Sequence, residues 1–268
     1  MKKLIVCLIA TALLPVTLMV GCSRSTPVNP PNATTTSTPV GFPTPTATPA
    51  GYATPQSTPQ TTVNLGSAAN YVILSYTGIT NSGPSTTCGG YGVYPYNQSS
   101  ITGSPAIVEV CGGAIDVADA AANTAEQNLG TAYTNAMGLP GGAVLPPGAD
   151  IGGQTLYPGL YNETDVLNIS SADLTLNGQG KANSVFIFQV DSNLIVGPGR
   201  KVILTNSAVA KNVFWAVAGY CSLDTTVSMV GNIMTYTSVT FNTGAVLKGR
   251  ALASNGDVTL LTNTITQP

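Results

Sequence analysis

Short apolar segments alternate with polar positions along residues 151–268 and return in the same order from cycle to cycle. One series comprises residues 185–188, 213–215, 233–235 and 251–253, a second comprises residues 193–196, 221–224, 239–242 and 258–261, and a third comprises residues 174–176, 202–204, 227–230 and 246–248. Gly, Asn or Ser separates the segments, and the repeat settles at about twenty residues per cycle. Three short strands per cycle predict a mainly β fold, a three-sided β-solenoid in which side chains of adjacent coils line up in rows about 4.8 Å apart.

A different period marks residues 115–136, where apolar side chains recur every three or four positions and predict one long α-helix. Most of these apolar residues are alanine, which lets a helix lie close against a flat sheet. Asp116 and Asp119 stand where an N-cap and a first-turn acid belong. The helix is therefore interpreted as a structural cover for one exposed face of the strands.

The N-terminus carries an export signal. Lys2 and Lys3 precede an apolar stretch over residues 4–20, and Cys22 follows the small residue Gly21. This arrangement resembles a bacterial lipoprotein signal, which predicts a signal peptide over residues 1–21 and a lipid on Cys22. In the alternative interpretation, an ordinary signal peptide is cut nearby and Cys22 has no role. Both interpretations export the protein, and the first anchors it to a membrane at the cell envelope with its domain outside the cytoplasm.

A linker is predicted over residues 22–62, which are mostly Thr, Pro, Ser, Ala and Gly and show no core-forming period. Repeated Thr-Pro steps favour extended polyproline geometry at roughly 3.1 Å per residue, enough to hold a domain roughly 100 Å from a membrane. The folded domain is predicted over residues 63–268.

Charge and cysteine usage narrow the classes of function. Charged residues make up 7% of the chain, the net charge is −2 and histidine is absent. The nine Lys and Arg are scattered, which argues against a nucleic-acid partner. No CxxC, P-loop or HExxH motif occurs, so neither a metal site nor a cofactor is predicted. For an exported protein, Cys88 and Cys111 are the natural disulfide pair because both lie in Gly-flanked loop sequence, and Cys221 is then a buried strand residue.

Three segments carry a resemblance to the microbial ice-binding proteins: residues 153–161 (GQTLYPGLY), 211–217 (KNVFWAV) and 242–253 (NTGAVLKGRALA). With a helix placed between two β portions, the similarity covers nearly all of residues 65–266. The resemblance implies a right-handed, discontinuous β-solenoid with the helix packed alongside. It also implies a non-catalytic protein whose partner is the surface of an ice crystal.

In that family, ice binds to a flat face of outward threonines, alanines and serines, often in a Thr-Ala/Gly-X-Thr/Asn pattern. The nearest segment here, residues 243–246, keeps the first three positions and has Val at the fourth. The equivalent region one coil earlier, residues 197–200, contains proline and arginine, which suit a flat surface poorly. The predicted ice-binding residues are Thr225, Thr226, Ser228, Thr243, Ala245, Thr262 and Thr264.

Two other classes of function stay open at this point. A cell-surface adhesion or structural solenoid would bind glycan or protein, and exposed Tyr91, Tyr94 and Tyr96 would favour it because aromatic platforms suit sugars. A polysaccharide-active enzyme would need grouped carboxylates. Glu163 and Asp165 form the one close same-face pair of acids, and they are interpreted as loop or coil-edge residues.

Overall fold

Twenty-two β-strands, one α-helix and three short 3-10 helices make up residues 60–268, the part of the chain that the computed structural model describes. The strands are β1 Tyr71–Ser75, β2 Gly78–Ser82, β3 Thr86–Cys88, β4 Gly90–Val93, β5 Ile101–Ser104, β6 Val108–Glu109, β7 Ile115–Val117, β8 Ala143–Val144, β9 Thr155–Leu156, β10 Gly159–Glu163, β11 Leu167–Ile169, β12 Leu174–Asn177, β13 Phe186–Val190, β14 Leu194–Val196, β15 Val202–Thr205, β16 Val213–Val217, β17 Cys221–Leu223, β18 Ser228–Thr235, β19 Val239–Phe241, β20 Val246–Ala253, β21 Asp257–Leu261 and β22 Thr264–Thr266. The helix α1 is Ala120–Met137, and the 3-10 helices are Gly66–Asn70, Gln98–Ser100 and Ala210–Asn212. The predicted signal peptide, Cys22 and nearly all of the predicted linker lie outside these residues.

The strands stack in three parallel series. The helix-covered series runs β8, β10, β13, β16, the second halves of β18 and β20, then β1, β4 and β7. The seven-stranded sheet runs β11, β14, β17, β19, β21, β2 and β5. The third series runs β9, β12, β15, the first halves of β18 and β20, then β22, β3 and β6. The fold is therefore mainly β, with parallel sheets and one helix.

The stacking order is not the chain order. The N-terminal strands β1, β2 and β3 pair with the C-terminal strands β20, β21 and β22. Strands that are far apart in the sequence thus become neighbours in all three series. Any row of side chains that runs the length of the stack combines residues from both ends of the domain.

Two glycines let β18 and β20 pass from the third series into the helix-covered series. Gly231 has φ +104°, a conformation that L side chains rarely adopt. A Cβ on Gly249 would lie 1.9 Å from the carbonyl oxygen of Gly231, because the two backbones stack directly at this bend. Larger residues at either position would force the coils apart.

The interior between the series is apolar and closely packed. Tyr161, Phe188 and Trp215 stack across three adjacent coils, with ring centroids 5.1 Å and 4.1 Å apart. The indole Nε1 of Trp215 donates to the carbonyl oxygen of Val230 at 2.9 Å, so its buried polar group is satisfied. Cys221 lies in the same interior, where burial raises the pKa of its thiol.

The helix covers one series, but it starts later than the periodicity predicts. Residues 115–117 form strand β7, in which Asp116 pairs with Gly92 and accepts a hydrogen bond from the Tyr71 hydroxyl. Asp119 is the N-cap, and its side chain accepts from the N–H of Ala122 at 2.8 Å. The buried face of α1 contacts the series that includes β1, β13 and β16.

A disulfide joins Cys88, at the end of β3, to Cys111, just after β6. It therefore ties together the last two strands of the third series. Within residues 60–268, no helix is both long enough and apolar enough to span a bilayer.

Candidate functional site

A row of hydroxyl side chains runs along the outside of the seven-stranded sheet. Its members are in direct register from strand to strand: Ser222, Thr240, Thr259, Thr80 and Thr102. Adjacent strands in a sheet lie about 4.8 Å apart, so the row repeats at that spacing over five coils. Thr80 and Thr102 are exposed, and the other three side chains are half-buried between their neighbours.

The local sequence fixes which way these side chains point. Ser222, Thr240 and Thr259 each stand between two apolar residues that are buried in the interior, such as Val239 and Phe241 on either side of Thr240. Because side chains alternate along a strand, the central residue must point outward. Threonine also suits the position because its branched Cβ restricts χ1 and favours the extended backbone.

A second column follows the corner between the seven-stranded sheet and the third series. It stacks Gly199, Thr226, Gly244, Thr262 and Gly83, and all five have positive φ, between 57° and 90°. The backbone N–H of each donates to a carbonyl oxygen of the adjacent coil at 2.8 to 3.3 Å. The turn geometry is thus the same in these five coils, and two of the five positions hold threonine where glycine would be free of strain.

Replacing Thr226 by glycine is expected to stabilise the protein. A left-handed conformation costs an L residue roughly 1–2 kcal/mol, and glycine returns part of that through its greater backbone entropy when unfolded. We therefore expect a net gain of about 1 kcal/mol in the free energy of unfolding, measured by urea denaturation. The reciprocal change in the adjacent coil, Gly244→Thr, should destabilise. Equal effects of the two variants would show that the turn is not strained.

The structure places six of the seven sequence-predicted ice-binding residues on the outside of the domain, in two groups. Thr225, Thr226, Thr243 and Thr262 are exposed at the corner, beside the row on the seven-stranded sheet. Ser228 and Thr264 point outward from the third series, around the corner from that row.

The prediction for Ala245 is corrected by its burial. Ala245 is fully buried in the apolar interior, so it cannot contact a surface outside the protein. Its carbonyl oxygen accepts from the side-chain amide of the buried Asn263 at 2.9 Å, which holds the turn from the inside. The segment over residues 242–245 is a turn, and a turn breaks the in–out alternation from which an outward Ala245 would follow.

Sequence reasoning missed the row on the seven-stranded sheet. A signal was present for Ser222, Thr240 and Thr259, each of which is the polar centre of an apolar–polar–apolar strand. Nothing comparable identified Thr80 and Thr102, because their place in the row depends on β2 pairing with β21.

Several acids of the domain hold backbone turns. Glu163 is buried and accepts from the N–H groups of Gly148, Ala149 and Asp165 at 2.9 to 3.2 Å. Glu163 and Asp165 therefore form a turn anchor, in keeping with their interpretation as coil-edge residues.

Glu109 has the same kind of role near the disulfide. Its carboxylate accepts from the N–H groups of Gly89, Cys111 and Gly112 at 2.7 to 3.0 Å. These hydrogen bonds, that of Gly89 first, hold the pKa of Glu109 below its usual range. In residues 60–268, no three His, Cys, Asp or Glu side chains group in a way that could hold a metal ion.

The tyrosines proposed as a sugar-binding platform do not share one surface. Tyr91 is buried in the interior, which removes it from that platform. Tyr96 is exposed and packs edge-on against Tyr76, with ring centroids 6.4 Å apart. Tyr94 is half-buried. The aromatic pair is much smaller than the five-coil hydroxyl row.

The fold and its outward rows define a class of protein: a stack of parallel strands that presents a rigid, regularly spaced surface of small hydroxyl side chains. Residues 73–266 match the model of the family described as Ice-binding-like. The chain belongs to this ice-binding protein family.

Relatives and solved structures agree with that assignment. The chain is 40% identical to an ice-binding protein of Flavobacterium frigoris (strain PS1) over 215 residues, covering 77% of this chain and 76% of the relative. It is 38% identical to an ice-binding protein of a Colwellia species, covering 77% and 84%. The crystal structure of an ice-binding protein from an Antarctic biological consortium superposes with a TM-score of 0.74 at 38% identity, covering 79% of this chain and 94% of that one.

A further solved structure bears on whether the domain folds alone. The ice-binding protein of the Antarctic ascomycete Antarctomyces psychrotrophicus superposes with a TM-score of 0.72 at 31% identity, covering 78% of this chain and 99% of that chain. That crystallised chain therefore consists almost entirely of the matched part, so a domain of this size and fold is a complete folded unit in that structure.

Proposed function

We propose that this protein adsorbs to ice through its threonine surface, defined as the row Ser222, Thr240, Thr259, Thr80 and Thr102 with the adjoining corner threonines Thr225, Thr226, Thr243 and Thr262. The observation that carries the proposal is the unbroken register of the row over five strands, which comes from both ends of the domain. The names of the relatives, which are ice-binding proteins, support it.

The physical basis is a match between two periodic surfaces. Ice is a lattice, so a surface that binds it must offer many groups at fixed spacing on a rigid plane. Backbone hydrogen bonding sets the spacing of the threonine surface at about 4.8 Å. Each threonine offers a methyl group and a hydroxyl that can anchor ordered water, on a stiff χ1. Each contact is weak, but simultaneous contacts along several coils make dissociation slow.

We also propose a finer description of the fold. The three parallel series form the sides of a three-sided, right-handed and discontinuous β-solenoid, with α1 packed along one side. Support comes from the stacking of N-terminal strands on C-terminal strands and from the bends at Gly231 and Gly249.

We also propose that the protein is exported and held at the cell envelope by a lipid on Cys22, at the end of a Thr/Pro-rich linker. The support is in the sequence, where Lys2 and Lys3, an apolar stretch and Gly21-Cys22 follow in that order. In this arrangement the protein is non-catalytic and limits ice growth near the cell or holds the cell on ice.

The test is ice recrystallisation inhibition by the fragment over residues 60–268, with direct partitioning of the labelled fragment into a slowly growing ice hemisphere. Inhibition and enrichment in the ice are expected, whereas the heat-unfolded fragment should give neither. A fragment that shows a folded circular-dichroism spectrum and stays in the liquid at high concentration would refute ice binding and leave an adhesion scaffold with the same fold.

A further inference from the structure

The charges of the domain are segregated. All of its cations lie on the third series or at the two corners that flank it: Lys181, Arg200, Lys201, Lys211, Lys248 and Arg250. Four acids share that part of the domain, namely Glu109, Asp150, Asp173 and Asp224. The rest of residues 60–268 holds seven acids and no cation. A chain with a net charge of −2 thus has one side on which six cations face four acids.

The cations are also close together along the stack. They belong to the coils of β12, β15 and β20, which lie within four successive strands of the third series, with β18 between β15 and β20. At about 4.8 Å per strand, this basic surface spans about 15 Å along the stack. Lys181, Lys201, Lys211 and Lys248 are exposed. Asp173 lies beside Lys201, where its carboxylate accepts from the backbone N–H of Lys201 at 3.0 Å.

Exposed aliphatic side chains stand among these lysines. Ile203 is two residues after Lys201, and Val246 is two residues before Lys248, so each pair points to the same side of its strand. Ile203 is 40% exposed and Val246 is 38% exposed, so both offer apolar surface to the surroundings. Lysines mixed with exposed aliphatic groups are typical of surfaces that lie on anionic membranes, where charge attracts and apolar groups enter the headgroup boundary.

The chain enters the domain at the same edge. Thr62, Val63 and Leu65 line a shallow cavity of about 270 Å³ together with Lys211 and Arg250. The guanidinium of Arg250 donates to the carbonyl oxygen of Ala69 at 2.7 and 3.0 Å, which fixes this entry segment against the basic surface. The basic surface therefore adjoins the point at which the chain enters the described domain.

We propose that the basic surface docks on an anionic lipid bilayer, with its lysines at the headgroups and Ile203 and Val246 at the apolar boundary. The threonine surface lies on a different sheet, around the corner, and stays open to the surroundings. The mixture of apolar and basic groups favours a bilayer over a soluble anionic polymer, which offers nothing to the aliphatic side chains. The docking depends on no lipid at Cys22, because the domain alone carries the surface.

The experiment is vesicle co-sedimentation of the fragment over residues 60–268. This fragment lacks Cys22, so a lipid on that residue cannot contribute to binding. Vesicles of phosphatidylcholine with phosphatidylglycerol are compared with vesicles of phosphatidylcholine alone, at low and at high salt. The fragment should bind the anionic vesicles at low salt and be released as salt screens the charges. The triple variant Lys201→Gln, Lys211→Gln, Lys248→Gln should bind on the order of 100-fold more weakly. The charge-preserving variant with arginine at the same three positions should bind like the wild type.

Three outcomes would overturn the proposal. They are equal binding to neutral vesicles, unchanged binding by the glutamine variant, and absence of binding to anionic vesicles at low salt. In the last case, binding to dextran sulfate would indicate a polyanionic carbohydrate as the partner instead. Ile203→Ser should weaken binding to vesicles and leave any binding to dextran sulfate unchanged. Because the lysines lie outside the threonine surface, ice activity of the glutamine variant should be unchanged, so a failure of docking is distinguishable from a failure of ice binding.

Discussion

Replacing Thr240 by tyrosine is expected to abolish inhibition of ice recrystallisation while leaving the thermal unfolding midpoint almost unchanged. Thr240 lies inside the hydroxyl row, with Ser222 and Thr259 in register on its two sides. A phenol ring there would stand above the methyl and hydroxyl groups of the adjacent coils and keep them from the ice, as a misfit does in any closely complementary interface. We expect at least about a tenfold rise in the protein concentration needed for inhibition, the equivalent of losing about 1.4 kcal/mol of adsorption free energy.

Thr264→Tyr is the matched control. Thr264 is also an outward threonine in a strand, but it lies on the third series, around the corner from the row. Its replacement should leave ice activity unchanged. Loss of activity in Thr264→Tyr together with full activity in Thr240→Tyr would place the ice-binding surface on the third series. That result would contradict its assignment to the seven-stranded sheet.

The fold could be predicted from the sequence to the extent that local alternation determines it. Apolar–polar–apolar triplets such as residues 239–241 identify a strand and the direction of each side chain. The pairing of β2 with β21 could not be predicted in the same way, because Thr80 and Thr259 are brought together by the closure of the whole chain. For that reason local alternation indicates Ser222, Thr240 and Thr259 but cannot add Thr80 and Thr102 to the same row.

Two local predictions failed because a tertiary contact outweighed a local pattern. The apolar period suggests a helix from residue 115, but β7 adds a strand to the exposed edge of β4 instead, and the helix starts after Asp119. Strand pairing at an open edge satisfies backbone groups that a longer helix would leave unpaired at the end of the stack. Ala245 followed the family's threonine motif in sequence, yet the turn directs it into the interior.

One residue of the helix lies in neither surface and lowers the free energy of unfolding at neutral pH. Glu126 lies on the buried face of α1, is 8% exposed, and its Oε1 has no hydrogen-bond partner. Desolvation by burial raises the pKa of this carboxyl from 4.5 to about 8. Glu126 is therefore protonated in the folded protein at neutral pH, whereas the same side chain in the unfolded chain is ionised.

The consequence is a pH-dependent loss of stability that Glu126→Gln should remove. Well below pH 4.5 the side chain is neutral in both states, so ionisation contributes nothing to the difference between them. As pH rises from 4.5 to about 8, only the unfolded state loses the proton, so the free energy of unfolding falls, and the loss is complete above the folded pKa. At pH 7 the loss in the free energy of unfolding amounts to about 3 kcal/mol.

Urea denaturation at pH 5 and pH 8 should show that Glu126→Gln is more stable than the wild type mainly at the higher pH. Glu163→Gln should destabilise the protein instead, because it replaces one of the two carboxylate oxygens that accept from three backbone N–H groups with an NH2 group, which cannot accept. Equal stability of Glu126→Gln and the wild type at pH 8 would mean that the carboxyl reaches water when it ionises.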